Sequence, residues 1–422
     1  MVDVWLPYGK TEVCVRVSAE RLQDIIKANE KPGVENPEEE IGKSLDNPIG
    51  AERLTEIVKS GDKVAVALNI PDAEIAKSVI LSILNRITQV GMESSDLTVI
   101  LAHDPFYPEA GSLIEKLKSE LSSLGINVIP HSFSSEVLHM GDLAGGVKIN
   151  LNKVFAESEV KIAAGMVEPN PYTLYRWSGY TIIPGLSDIE SIGQILTPTL
   201  NLETPSESVC KKIIEFSRAS GVDFSINIVR NMKGEVVKSL AGDLEKTFHE
   251  SAKVTDAIYR FPIEKRADIV FVSPGGFPFD ACISNACGCL EHALRATKRN
   301  GTIVLVAECL EGYGSPGFYE AISRFKDDPR SLERSLRKKF RIGGFIAYRF
   351  LRAFRRADIS MISVIPDYYL SEMPGLKIFR TANEALNYAL EKSGRKSKVS
   401  AIPHGNLTVP AMKEPEITPE KK

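Results

Sequence analysis

The sequence predicts an α/β protein, two Rossmann-like α/β domains in one chain. Three observations predict it. Short apolar runs of strand length alternate with amphipathic stretches of helix length between Val64 and Ala164, which is the pattern of βαβ units and a mainly parallel sheet. A second series of the same kind starts at Ala267. The length, 422 residues, gives room for two domains with cores of their own.

The elements follow in order. Val64–Leu68 reads as a strand. Asp72–Gln89 reads as a helix with Ile75, Val79, Ile83 and Ile87 on one face. Leu97–Ala102 is the next strand and Tyr107–Leu124 the next helix, and strands at Ile126–Pro130 and Val160–Ala164 continue the series. Ile226–Arg230 and Val236–Leu240 flank a Gly-containing turn and read as a hairpin. In the second half Ile269–Val272 is a buried strand. Gly275, Gly276 and Pro278 make a turn, and Asp280 is placed to cap a helix running to Leu294. A strand at Ile303–Ala307, a loop at Glu308–Pro316 and helices at Gly317–Arg324 and Arg330–Arg355 come next. A strand at Ile359–Ile365, a helix at Ala382–Ser393 and a strand at Lys398–Ile402 end the series. The linker Arg260–Arg266 sets the expected domains at 1–262 and 263–408, with 409–422, rich in Pro and charge, as a disordered tail.

Composition narrows the class. At 43% hydrophobic residues and a net charge of −3, the chain is not expected to be disordered. No apolar run approaches the ~20 residues that span a bilayer. Met1–Arg16 lacks the order of a secretory signal. A cytoplasmic protein without a membrane partner is expected, and six Cys are too few for a disulfide framework. The charge balance argues against a nucleic-acid partner. One segment departs from it: Arg330–Arg356 carries ten Lys and Arg against one acid, Glu333. Such a run is a solvated or packed helix face, or a surface for an anionic or protein partner.

Several stretches resemble, in order, the nickel-dependent lactate racemase family. They are Leu6–Lys10 (LPYGK), Gly141–Asn152 (GDLAGGVKINLN), Gly165–Pro169 (GMVEP), Ile183–Gly185 (IPG), Ala241–Asp243 (AGD), Gly275–Asp280 (GGFPFD) and Leu305–Pro316 (LVAECLEGYGSP). The resemblance implies two α/β domains with a cleft between them. It implies a nickel pincer nucleotide tethered to a lysine, two histidines as acid and base, and a 2-hydroxy acid whose hydride passes to and from the cofactor.

The chemistry-bearing positions depart from that pattern. Where the family has Asp-x-x-Arg, this chain has Asn69-Ile70-Pro71-Asp72, a carboxylate for the cation. Phe106 stands at the position of one catalytic histidine, with His103 three residues earlier, and Asn170 stands at the other, after Glu168-Pro169. Tyr180 takes the position of the tether lysine, and Arg176 is the nearest cation. Ser191–Leu196 offers no histidine for the metal. In the second half Asn285 and Gly288 replace a Gln and a Lys. Residues that set backbone geometry are kept, and residues that carry protons and charge are changed.

The resulting expectation is a family homologue without the nickel-pincer set and with no cofactor. It would bind a small ligand, hydroxy-acid-like or other, in the cleft through Asn69, Asp72, Phe106, Asn170, Arg176, Tyr180, Asn285 and Gly288. A working 2-hydroxy-acid racemase or epimerase is the alternative, with His103, Glu168 or Tyr180 in altered roles. An interaction protein using the basic surface 330–356 is a third reading; apart from it, a protein partner or a homo-oligomer is left open. No metal site is expected. Cys282, Cys289 and His292 could share a helix face, but the neighbouring Cys287 points about 200° from Cys289, and small buried thiols in a packed helix explain the cluster.

Overall fold

Two six-stranded sheets carry the chain, and each has its own hydrophobic core. The structure, a computed structural model, describes residues 1–106, 111–203, 207–366, 368–369, 373 and 375–413. These divide into a central unit, Glu30–Ile258 with Glu333–Phe345, and a terminal unit, Met1–Asn29 with Tyr259–Leu332 and Ile346–Lys422.

The sheet of the central unit runs Val236–Gly242, Phe224–Arg230, Val160–Met166, Val64–Asn69, Leu97–Leu101, Asn127–Pro130. Its neighbours are parallel except at the edge, where Val236–Gly242 returns antiparallel as the expected hairpin. The helix Ala73–Ile87 buries Ile75, Val79, Ile83 and Ile87, the face that the spacing predicts. Its core also takes Val66, Leu101, Ile162 and Ile226 from the strands. A helix is found at Gly111–Ser122, and the expected start of that helix at 107–110 lies outside the described residues.

The sheet of the terminal unit runs Lys377–Phe379, Asp358–Ile362, Thr297–Val306, Ala267–Val272, Val399–Ile402, Leu22–Ile25, all parallel. The helix Ala382–Ser393 packs Ala385, Leu386 and Ala389 into its core. A hairpin, Val2–Tyr8 with Thr11–Val17, adds Val4, Leu6, Val15 and Val17 to that core.

Four expectations are corrected. The boundary near 262 separates the sheets in sequence, but residues 1–29 fold with the terminal unit and 333–345 with the central one, because Leu22–Ile25 finds its backbone partners on Val399–Ile402. The stretch Arg330–Arg355 is two helices, Pro329–Lys338 and Ile342–Ala353. Residues 409–412 are not part of a disordered tail, since Val409–Met412 pairs in parallel with Arg260–Ile263; residues 414–422 lie outside the described residues. Asp280 caps no helix. Its Oδ2 accepts the amides of Gly9 at 2.6 Å and Glu308 at 3.2 Å, while Cys282 precedes a short helix, Ile283–Ala286, and a second runs Cys289–Ala296. A buried carboxylate takes whichever main-chain donors the fold leaves unpaired.

Candidate functional site

In the central unit Asn69, Glu168, Asn170, Arg176 and Tyr180 meet around one small hairpin, Glu168–Asn170 paired with Leu174–Arg176. Asn170 turns it: its Oδ1 accepts the amides of Tyr172 at 2.8 Å and Thr173 at 3.0 Å. Asn favours such a turn because its side chain mimics a backbone carbonyl. With Oδ1 so committed, Nδ2 is buried with no hydrogen-bond partner. Leu174, at the far side of the turn, holds a φ of 77°, unusual for a branched side chain.

Glu168 and Arg176 face each other across this hairpin, and both are buried, at 1% and 3% exposure. Arg176 is surrounded by acceptors. Its Nε lies 3.1 Å from Asp104 Oδ2, its Nη1 3.4 Å from Glu168 Oε2, and its Nη2 3.1 Å from Asn69 Oδ1. Arg230, at the end of the neighbouring strand, brings its Nε to 2.8 Å from Glu168 Oε1. Burial pushes the Glu168 carboxyl up, but the charges of Arg230 and Arg176 outweigh it and hold the carboxyl below its ordinary range. Tyr180, fully buried, donates its hydroxyl to Asp104 Oδ1 at 2.9 Å. Two carboxylates, two guanidiniums, a phenol and an amide thus form one cluster. Charges taken from water are tolerable only when paired and hydrogen-bonded in this way.

The other expected residues sit as follows. Phe106 is buried against Tyr172 and Phe345, with ring centres 5.0 and 5.9 Å away. Half-buried His103 donates its amide to Gly185 O at 3.0 Å and stands edge-on to Phe133. Asp72 is drawn into the fold: its carboxylate caps the helix Ala73–Ile87 through the amides of Glu74 and Ile75. Asn285, half-buried, and Gly288, buried, lie on the short helical turns of the terminal unit.

Cys282, Cys289 and His292 do not form a ligand set, and among the described residues no group of three or more His, Cys, Asp and Glu is disposed to hold a metal. His292 Nδ1 binds Gly405 O at 2.7 Å, and burial lowers its pKa to about 3. The Cys282 thiol lies 3.2 Å from Ser284 Oγ, and burial pushes the Cys289 thiol well above its ordinary range. These are packed side chains of the terminal unit's helices.

Sequence reasoning passed over Arg230 and the role of Asp104. Arg230 closes a strand whose parallel neighbour carries Glu168 just beyond its end. Only strand order brings the two residues together.

Fold and site define a class: an α/β protein of two parallel-sheet units, with a buried polar cluster where the central sheet's strands end. Residues 8–201 match the lactate racemase N-terminal domain, and residues 263–409 match the lactate racemase C-terminal domain. The chain belongs to the lactate racemase family. It is 24% identical to the lactate racemase of Lactiplantibacillus plantarum, over 96% of this chain and 99% of that protein. It is also 24% identical to that of Thermoanaerobacterium thermosaccharolyticum, over 96% and 98%. The solved lactate racemase apoprotein of T. thermosaccharolyticum superposes with a TM-score of 0.84 at 21% identity, covering 98% of this chain and all of that one. A Thermotoga maritima protein shares the fold at a TM-score of 0.62 and 13% identity, covering 89% of this chain and 97% of that one.

Proposed function

We propose that this chain is a lactate racemase homologue that binds a small polar molecule at the Asn170–Arg176 hairpin without the nickel-pincer chemistry that the resemblance implies. One observation carries the reading. Tyr180, at the position matched to the tether lysine, is fully buried and bonded to Asp104, inside a cluster whose charges already cancel. A phenol held this way offers no amine for a covalent tether. Asn170, matched to a catalytic histidine, has no pKa in the working range. The residues present therefore do not fit the nucleotide.

What the cluster supports is recognition. Arg176 is neutralised by Asp104 and Glu168, so a free carboxylate gains little there. The buried Asn170 Nδ2 lacks an acceptor. Leaving such a donor unmade costs about 1–3 kcal/mol, which a ligand acceptor recovers. A molecule of hydroxy-acid size presenting a carbonyl or hydroxyl oxygen fits that need. A cytoplasmic location accords with this reading, and among the described residues no helix is long and apolar enough to cross a membrane.

The test is metal analysis and intact mass on the purified chain, with calorimetric titration of lactate and lactamide. The expected result is a mass equal to the 46.4 kDa polypeptide, nickel far below one per chain, and lactamide bound more tightly than lactate. Asn170→Ala is expected to abolish that binding. Stoichiometric nickel with a covalent adduct, together with exchange of the lactate α-hydrogen into deuterated solvent, would overturn the proposal.

A further inference from the structure

The basic segment 330–356 does not act as one surface. Arg349 is turned inward, where it forms a bidentate pair with buried Glu291. The part that folds with the central unit, from Leu336 to Arg341, instead lines an open groove of about 890 Å3.

The walls of this groove are fixed by packing. Gly193 lies so close to Phe340 that a Cβ there would come within 2.5 Å of the Phe340 Cβ, so the turn Lys339–Arg341 seats directly on the helix Ile189–Leu196. Asn201 donates to Glu333 at 3.0 Å, and Glu333 in turn holds Arg337 at 2.8 Å. Val147, Ile189 and Phe340 make part of the lining apolar, and Ile189 is 37% exposed. Arg337, Lys338, Lys339 and Arg341 make another part basic. Glu190 is the one carboxylate among the lining residues described, and Lys148 pairs it at 2.9 Å. Exposed Gly145 and Gly146 contribute bare main chain.

We propose that this groove binds an organic anion, with phosphate or carboxylate groups against Lys338, Lys339 and Arg341 and a flat apolar body against Ile189 and Phe340. The volume is that of a small-molecule site. A bare inorganic ion would leave the apolar lining unused. A long polyanion needs a continuous basic stripe, and this one is interrupted where Arg349 turns inward. A compact amphipathic anion uses both kinds of wall.

The test is calorimetry on the full chain with ADP, trimesate, pyrophosphate and adenosine as probes. ADP or trimesate is expected to bind one site, with an affinity that falls as salt rises. Which of the two is tighter tells phosphate from carboxylate. Pyrophosphate is expected to bind at least tenfold more weakly, and adenosine not measurably. The double variant Lys338→Glu/Lys339→Glu is expected to lose at least tenfold in affinity, while Lys211→Glu, on an exposed face elsewhere, stays within twofold. Ile189→Glu keeps the fold, because a carboxylate suits the first turn of a helix, and is expected to lose at least tenfold. Near-ultraviolet dichroism checks that each variant is folded. No binding of ADP and trimesate up to about 1 mM, affinities untouched by the groove variants, or pyrophosphate binding as tightly as ADP would each overturn the proposal.

Discussion

Glu168 shows how a single buried carboxylate can organise a site. Burial disfavours its charge, and two guanidiniums restore it. Its stabilising effect has a definite pH sense. A carboxyl whose folded pKa lies below its unfolded value contributes fully above the unfolded pKa and loses that contribution as pH falls through the folded one. Removing it leaves Arg230 without the carboxylate 2.8 Å away and Arg176 with one carboxylate fewer. Glu168→Ala is therefore expected to destabilise the fold by about 3–5 kcal/mol, read from urea unfolding at neutral pH. Tyr180→Phe, which removes one hydrogen bond to Asp104, serves as the milder comparison, at about 1–3 kcal/mol. Equal effects from the two would mean that the cluster's charges are not coupled as described.

At the scale of elements, the basic stretch after Pro329 divides according to what its side chains meet. On the helix Pro329–Lys338, Lys338 is exposed. On the helix Ile342–Ala353, Arg349 is 5% exposed and bound to Glu291. Arg349→Ala removes the bidentate partner of a buried carboxylate and is expected to cost about 3–5 kcal/mol. Lys338→Ala is expected to stay within about 0.5 kcal/mol. Thermal unfolding of the two variants distinguishes them, and similar shifts would contradict the inward placement of Arg349. Charge density along the sequence marked the stretch without marking this division. A run of Lys and Arg reads alike whether it faces water or a carboxylate 58 positions away in the chain. The helix Ala382–Ser393 was legible to the residue because its cap, Thr381, and its final Gly394 are local signals. Asp280 misled for the opposite reason: its acceptor found the amide of Gly9, 271 positions away.

At the scale of the whole molecule, the two units are interleaved in sequence. Residues 1–29 supply a sheet edge and part of the core of the terminal unit. A fragment of residues 259–413 would lack Val4, Leu6, Val15 and Val17 and would expose the residues they cover. It is expected to lose near-ultraviolet dichroism and sharp unfolding, and to regain both when a peptide of residues 1–29 is added. A cooperatively folded fragment without that peptide would count against the division. The sequence by itself determined the α/β class, most strands and helices, and the family, because periodicity, turn residues and ordered motifs are local along the chain. The tertiary structure alone decided which strand borders which, that Arg230 meets Glu168, that Asp72 and Asp280 satisfy backbone amides, and which basic residues turn inward. Those outcomes depend on which buried donors and charges lack partners once the sheets have formed, and that is a property of the folded chain.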